Sequence, residues 1–80
     1  MNNLTEATLA VFLAYANDAP NWAGRPMIGC NVASDKHANG HLTNLKKAGL
    51  IETFKDDCGI YIEFTEAGER LAEEHGICIW

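Results

Sequence analysis

Several things are scarce in this chain, and each scarcity excludes something. Its 80 residues hold three cysteines, Cys30, Cys58 and Cys78. That odd number, at unmatched spacings, argues against a disulfide framework and for a reducing, cytoplasmic setting. The apolar runs are far shorter than the roughly 20 residues of a membrane-spanning helix, so no membrane association is expected. Lys and Arg are missing from Met1 to Phe12, which argues against a secretory signal. Repeats, low-complexity stretches and linkers are also missing, so residues 1–80 read as one domain. Basic residues number six against eleven acidic ones, a net charge of −5. A protein that coats nucleic acid without specificity would be basic throughout.

What is present is unevenly placed. Hydrophobic residues make up 48%, enough for a core. Glu6 and Asp18 leave residues 1–24 at net −2. Arg25, Lys36, Lys46 and Lys47 against Asp35 put residues 25–47 at net +3. The remainder is acidic, with eight carboxylates against Lys55 and Arg70. An acidic chain therefore has one basic centre.

The pattern predicts a first helix. Thr5 is its N-cap, Leu4 and Leu9 have the spacing of a hydrophobic staple, and Leu9, Phe12, Leu13 and Ala16 form one stripe. Asp18-Ala19-Pro20 reads as its stop. Met27-Ile28 reads as a short strand and Trp22 as a lid over the core. A second helix is expected from Ser34, its N-cap, to Lys47 or Ala48, ending at Gly49. A hairpin follows: Ile51–Phe54, a turn at Asp56-Asp57-Cys58-Gly59, then Ile60–Phe64. Thr65 caps a last helix from Glu66 to about His75. The expected core is Leu9, Phe12, Leu13, Leu42, Leu45, Leu50, Ile60, Ile62, Phe64 and Leu71. The apolar tail Ile77–Trp80, otherwise exposed, suggests self-association with the first helix into a homodimer.

On a helical wheel Ala38, Leu42 and Leu45 fall together, and Lys36, His37, Asn39, Gly40, Thr43, Asn44 and Lys47 fall opposite. That outward face carries amides, a hydroxyl, an imidazole, ammonium groups and a bare glycine, but no carboxylate. Asn39 and Asn44 suit adenine edges, and Lys36 and Lys47 suit guanine or phosphate.

The string Leu42-Thr43-Asn44-Leu45-Lys46-Lys47-Ala48-Gly49-Leu50-Ile51, followed by Phe64-Thr65-Glu66-Ala67-Gly68, resembles winged helix-turn-helix domains of the MarR and PadR type. The shared pattern is an L-x-x-L-x-x-x-G-L-I helix end, a β-wing and a T-x-x-G helix start. The resemblance implies an α+β winged helix-turn-helix fold, three helices with a small antiparallel sheet and β-wing. It also implies a transcriptional regulator that binds double-stranded DNA, with residues 34–48 as recognition helix and Lys36, His37, Asn39, Gly40 and Thr43 where DNA is met. Two features depart from the family. No helix before the recognition helix is evident in residues 20–33, and the wing tip, Asp56-Asp57, is acidic. Tyr15 to Gly24 also resembles segments of small phage- or plasmid-borne proteins.

Other chemistries fit less well. His37 and His41 have i, i+4 spacing, but no close third ligand makes them a metal pair. Gly24-x-x-x-x-Gly29 is followed by Cys30-Asn31, where a phosphate loop needs Lys and Ser or Thr. Asp56 and Asp57 disfavour a Cys58 thiolate. No enzyme, cofactor or metal site is expected. The alternative to DNA binding is a winged-helix module that binds protein, an inhibitor or nucleic-acid mimic acting through its acidic half.

Overall fold

In the computed structural model, which describes residues 4–29, 36–57 and 59–79, the first helix, α1 (Glu6–Asp18), begins where Thr5 can cap it. The Thr5 hydroxyl accepts from the Thr8 backbone N–H at 3.1 Å, which satisfies one of the orphan donors of a helix start. The helix passes into a 3₁₀ turn, Ala19–Trp22, with Pro20 near its start. No α-helix occupies residues 19–29. The predicted Ser34 cap lies outside the described residues; α2 runs from Lys36 to Lys47.

The end of α2 shows why Gly49 is there. The Leu50 N–H donates to the Leu45 carbonyl at 3.1 Å and the Gly49 N–H to the Lys46 carbonyl at 3.0 Å. This Schellman arrangement needs a left-handed residue, and Gly49 supplies it at φ +77°. The chain then enters a hairpin of β1 (Ile51–Asp56) and β2 (Gly59–Phe64), antiparallel from Ile51↔Phe64 to Asp56↔Gly59. Thr65 caps α3 (Glu66–Glu74), its hydroxyl accepting from the Gly68 N–H at 3.1 Å and donating to the Gly49 carbonyl at 2.6 Å. The fold is thus α+β, three helices with a two-stranded antiparallel sheet. Residues 26–28 lie along the free edge of β2. Ile28 N–H donates to Ile60 at 2.8 Å, Ile62 N–H donates to Pro26 at 2.9 Å, and Met27 pairs with Tyr61.

Phe12, Tyr15, Ala16, Ala19, Leu42, Leu45, Leu50, Ile51, Ile62, Phe64, Ala72 and Ile79 form the core. Phe12 meets Phe64 edge-on, with centroids 5.6 Å apart. Three expectations need correction. Ile60 shares the core-facing side of β2 with Ile62 and Phe64 but is 44% exposed. It stands one position from the end of the hairpin, next to the Asp56↔Gly59 pair. Leu9, Leu13 and Leu71 are half-buried at the core's margin. The buried residues of α1 are instead Thr8, Phe12, Tyr15, Ala16 and Asp18, and Thr8 has a polar partner on α2. Finally, the tail is not an exposed patch. Ile79 belongs to the core at 3% exposure, and Ile77 packs beside it with its N–H on the Ala72 carbonyl. That removes the stated motive for self-association through Ile77–Trp80; Trp80 lies outside the described residues. No helix among the described residues is long and apolar enough to cross a membrane.

Gly68 packs on the Leu50 carbonyl so closely that a Cβ there would overlap the oxygen. The obstacle is backbone, so it cannot swing aside. Gly68→Ala should cost about 2–4 kcal/mol and Leu45→Ala about 2–5 kcal/mol, both read from chemical denaturation. Tyr15 presents a second case. Its hydroxyl is buried with no hydrogen-bond partner among the described residues. Burial pushes its pKa up from 10.0; the Gly29 backbone N–H, close to the hydroxyl but outside hydrogen-bonding geometry, opposes this, and the Asp18 charge adds to it. A raised folded-state pKa means stability that is complete below about pH 10 and lost as pH rises through the folded value. Tyr15→Phe should therefore be neutral or stabilising at pH 7 and should abolish that alkaline loss in a pH series of melting curves.

Candidate nucleic-acid interface

Helix α2 is amphipathic, and its orientation follows from where its leucines go. Leu42 and Leu45 are buried, so the opposite side must face out. Asn39, Gly40, Thr43, Asn44 and Lys47 are all exposed there. Their spacing of i, i+1, i+4, i+5 and i+8 keeps them on one side of the helix. Lys36 and His37 belong to the same helix, and their side chains lie outside the described residues. Residues 36–47 include no carboxylate. Lys46, which the wheel did not assign to this face, is exposed beside Lys47 in the last turn. Its signal was the Lys-Lys pair at the helix end, where ammonium groups also favour the helix dipole.

The exposed groups are not equivalent. The Thr43 hydroxyl donates to the Asn39 carbonyl one turn back at 3.0 Å, so its oxygen is left as an acceptor toward a ligand. Gly40 is bare, and a Cβ there would meet nothing within 4 Å. No packing among the described residues requires that glycine. His41 turns away from this face, and its Nδ1 lies 2.8 Å from the Thr8 hydroxyl. Thr5 donates to that same hydroxyl at 2.9 Å. Thr8 thus hydrogen-bonds both Thr5 on its own helix and the His41 ring on α2. The bond ties α2 to α1 and makes His41 a structural residue. Among the described residues no group of three or more potential metal ligands forms.

The hairpin contributes a second surface that sequence reasoning missed. By register, Glu52 and Glu63, Phe54 and Tyr61, and Asp56 and Gly59 face outward together, away from the core. Trp22 is not a lid over the core. Its indole N–H donates to Asp18 at 2.8 Å, and its ring meets Tyr61 at 6.5 Å and 69° on this outer face. The aromatic spacing of Phe54 and Tyr61 was visible, but their pairing required the register.

Because nothing among the described residues explains Gly40, Gly40→Ala should raise folding stability by about 1 kcal/mol, the propensity gain in an exposed helix interior. Thermal and urea melts check this.

Compared with known protein families, curated proteins and solved structures, the chain matches none.

Proposed function

We propose that the chain is a small winged-helix DNA-binding regulator that reads duplex DNA with the outward face of α2. The observation that carries this reading is the exposed side of α2, free of carboxylates and bare at Gly40, in a chain of net charge −5. Support for the winged-helix assignment comes from the junction of α2, the hairpin and α3, which gives physical roles to Gly49, Thr65 and Gly68 of the recognised pattern.

Under this proposal α2 enters the major groove. The amides of Asn39 and Asn44 pair with adenine edges, which specifies sequence. Lys47, with Lys36 and Lys46, meets phosphates, which sets affinity and register. Thr43 accepts from a base amine. Gly40 lets the groove wall approach the helix backbone. The net negative charge opposes encounter, but screening over roughly 8 Å at physiological ionic strength confines that opposition to nearby carboxylates. The turn at Asp56-Asp57 is then unsuited to phosphate contact, so α2 carries the interface without the wing.

The test is selection from a random duplex pool, followed by fluorescence anisotropy across a salt series. Lys47→Ala should weaken binding to all sequences and reduce the salt slope by about one. Asn44→Ala should relax preference at an adenine position, with a loss of about 1–3 kcal/mol. Gly40→Ala should weaken binding while leaving the fold at least as stable, which separates a groove contact from a folding defect. If no duplex binds even at low salt, the proposal fails and the alternative, a protein-binding module using its acidic surface, replaces it.

A further inference from the structure

The two edges of the sheet are not alike. On the β2 side, the Ile62 N–H donates to Pro26 and the Ile28 N–H donates to Ile60. The backbone groups of Ile60 and Ile62 therefore point toward residues 26–28, and that edge is covered. Backbone direction alternates along an antiparallel strand. Tyr61, between them, points at β1, and its partner Phe54 points back at β2. The Thr65 N–H on the Leu50 carbonyl fixes the same alternation from the other end of the ladder. Glu52, Phe54 and Asp56 thus direct their N–H and C=O groups to β2. Those of Ile51, Thr53 and Lys55 point the opposite way, to an edge of β1 that no other segment among the described residues occupies. Such an edge is a template for another strand, and β1 has neither proline nor bulge to interrupt it.

The charges on β1 decide which strand fits. Two copies related by a two-fold axis pair through this edge with outward-directed residues opposite one another. Ile51 opposite Thr53 of the second copy sets Glu52 against Glu52. Thr53 opposite Lys55 sets Glu52 against Asp56, and Lys55 opposite itself sets lysine against lysine. Like charges directly opposite are destabilising. Ile51 opposite itself overlaps only the base of the strand. Thr53 opposite Thr53 avoids all of these. It pairs Ile51 with Lys55 and Glu52 with Phe54, and the central threonines form a favourable cross-strand pair. It also places the two Phe54 side chains diagonally, roughly 7–8 Å apart. Each already stacks on its own Tyr61 at 5.5 Å and 17°, and Phe54 is 38% exposed in the single chain.

We propose that the free edge of β1 pairs with the same edge of a second copy of this chain, antiparallel about Thr53, to make one continuous sheet. The Thr53 pair and the Ile51–Lys55 pairs each exchange both of their N–H···O bonds. The contact uses neither α1 nor the Ile77–Trp80 tail. It does not depend on whether α2 binds DNA.

The experiment joins sedimentation equilibrium of the intact chain, from about 10 µM to about 1 mM, with amide hydrogen exchange followed by NMR. A monomer–dimer equilibrium is expected. The Thr53 and Lys55 amides, open in the monomer, should exchange about 10-fold more slowly when nine-tenths of the chain is dimeric. Raising salt from about 0.05 M to about 0.5 M should tighten the dimer several-fold, because screening relieves repulsion between two chains of net −5. Thr53→Pro removes an N–H that β2 does not use, at an edge where proline is tolerated. It should stay folded and monomeric. Should that variant unfold, Thr53→Lys decides, since it keeps the backbone and sets lysine against lysine at the axis. It should weaken the dimer at least 10-fold while melting like the parent when dilute. A monomer at every concentration overturns the proposal. So does a dimer that survives Thr53→Lys, one that dissociates on adding salt, or one whose Thr53 and Lys55 amides still exchange freely. Protection of those amides in the dilute monomer also overturns it, because the chain would then cover the edge itself.

Discussion

The backbone carbonyl of Leu50 is where the fold is tied. It accepts the Thr65 N–H at 3.1 Å, and it occupies the space that a side chain at Gly68 would need. The residue just before it, Gly49, takes the Thr65 hydroxyl. The end of α2, the base of β1 and the start of α3 therefore meet at two consecutive peptide groups. Each of these groups would otherwise be an unsatisfied helix terminus or sheet edge. One of these bonds is backbone to backbone and the other comes from the Thr65 hydroxyl, so the three elements are joined at a single point.

The charge distribution of the surface follows from that constraint. With Leu42 and Leu45 committed to the core, the carboxylate-free side of α2 has to face out. With Ile51, Ile62 and Phe64 committed likewise, the pleat puts Glu52, Glu63, Phe54, Tyr61 and Asp56 on the other side of the sheet. An acidic chain thereby shows two unlike surfaces, one with amides and ammonium groups, the other with rings and carboxylates. Screening over roughly 8 Å lets each act with little influence from the other.

Polar groups inside the fold have their own positioning tasks. Thr8 is buried yet satisfied, because it relays from Thr5 to His41 and joins α1 to α2. Asp18 is buried yet paired, because Asn21 and Trp22 donate to it across the 3₁₀ turn. Tyr15 is the contrast, its hydroxyl buried without a hydrogen-bond partner among the described residues. The first two convert buried polarity into orientation, of α2 in one case and of the Trp22 ring in the other.

Caps, stops and strand alternation were legible in the residues because each depends on neighbours a few positions away. Thr5 and Thr65 cap, Gly49 and Gly76 follow helix ends, and β1 and β2 pair in register from Ile51↔Phe64 to Asp56↔Gly59. The composition of the α2 face was equally local, and its exposure followed once Leu42 and Leu45 were placed inward. Tertiary structure alone decided where the core ends and which distant groups meet. It left Ile60 in solvent although its pleat was read correctly, and it folded Ile79 inward. It turned Trp22 onto the outer sheet face and brought His41 to Thr8, 33 residues away. Periodicity reports which side of an element is apolar. It does not report how far the covering helices extend, or which polar partner will arrive to make a buried threonine or aspartate acceptable.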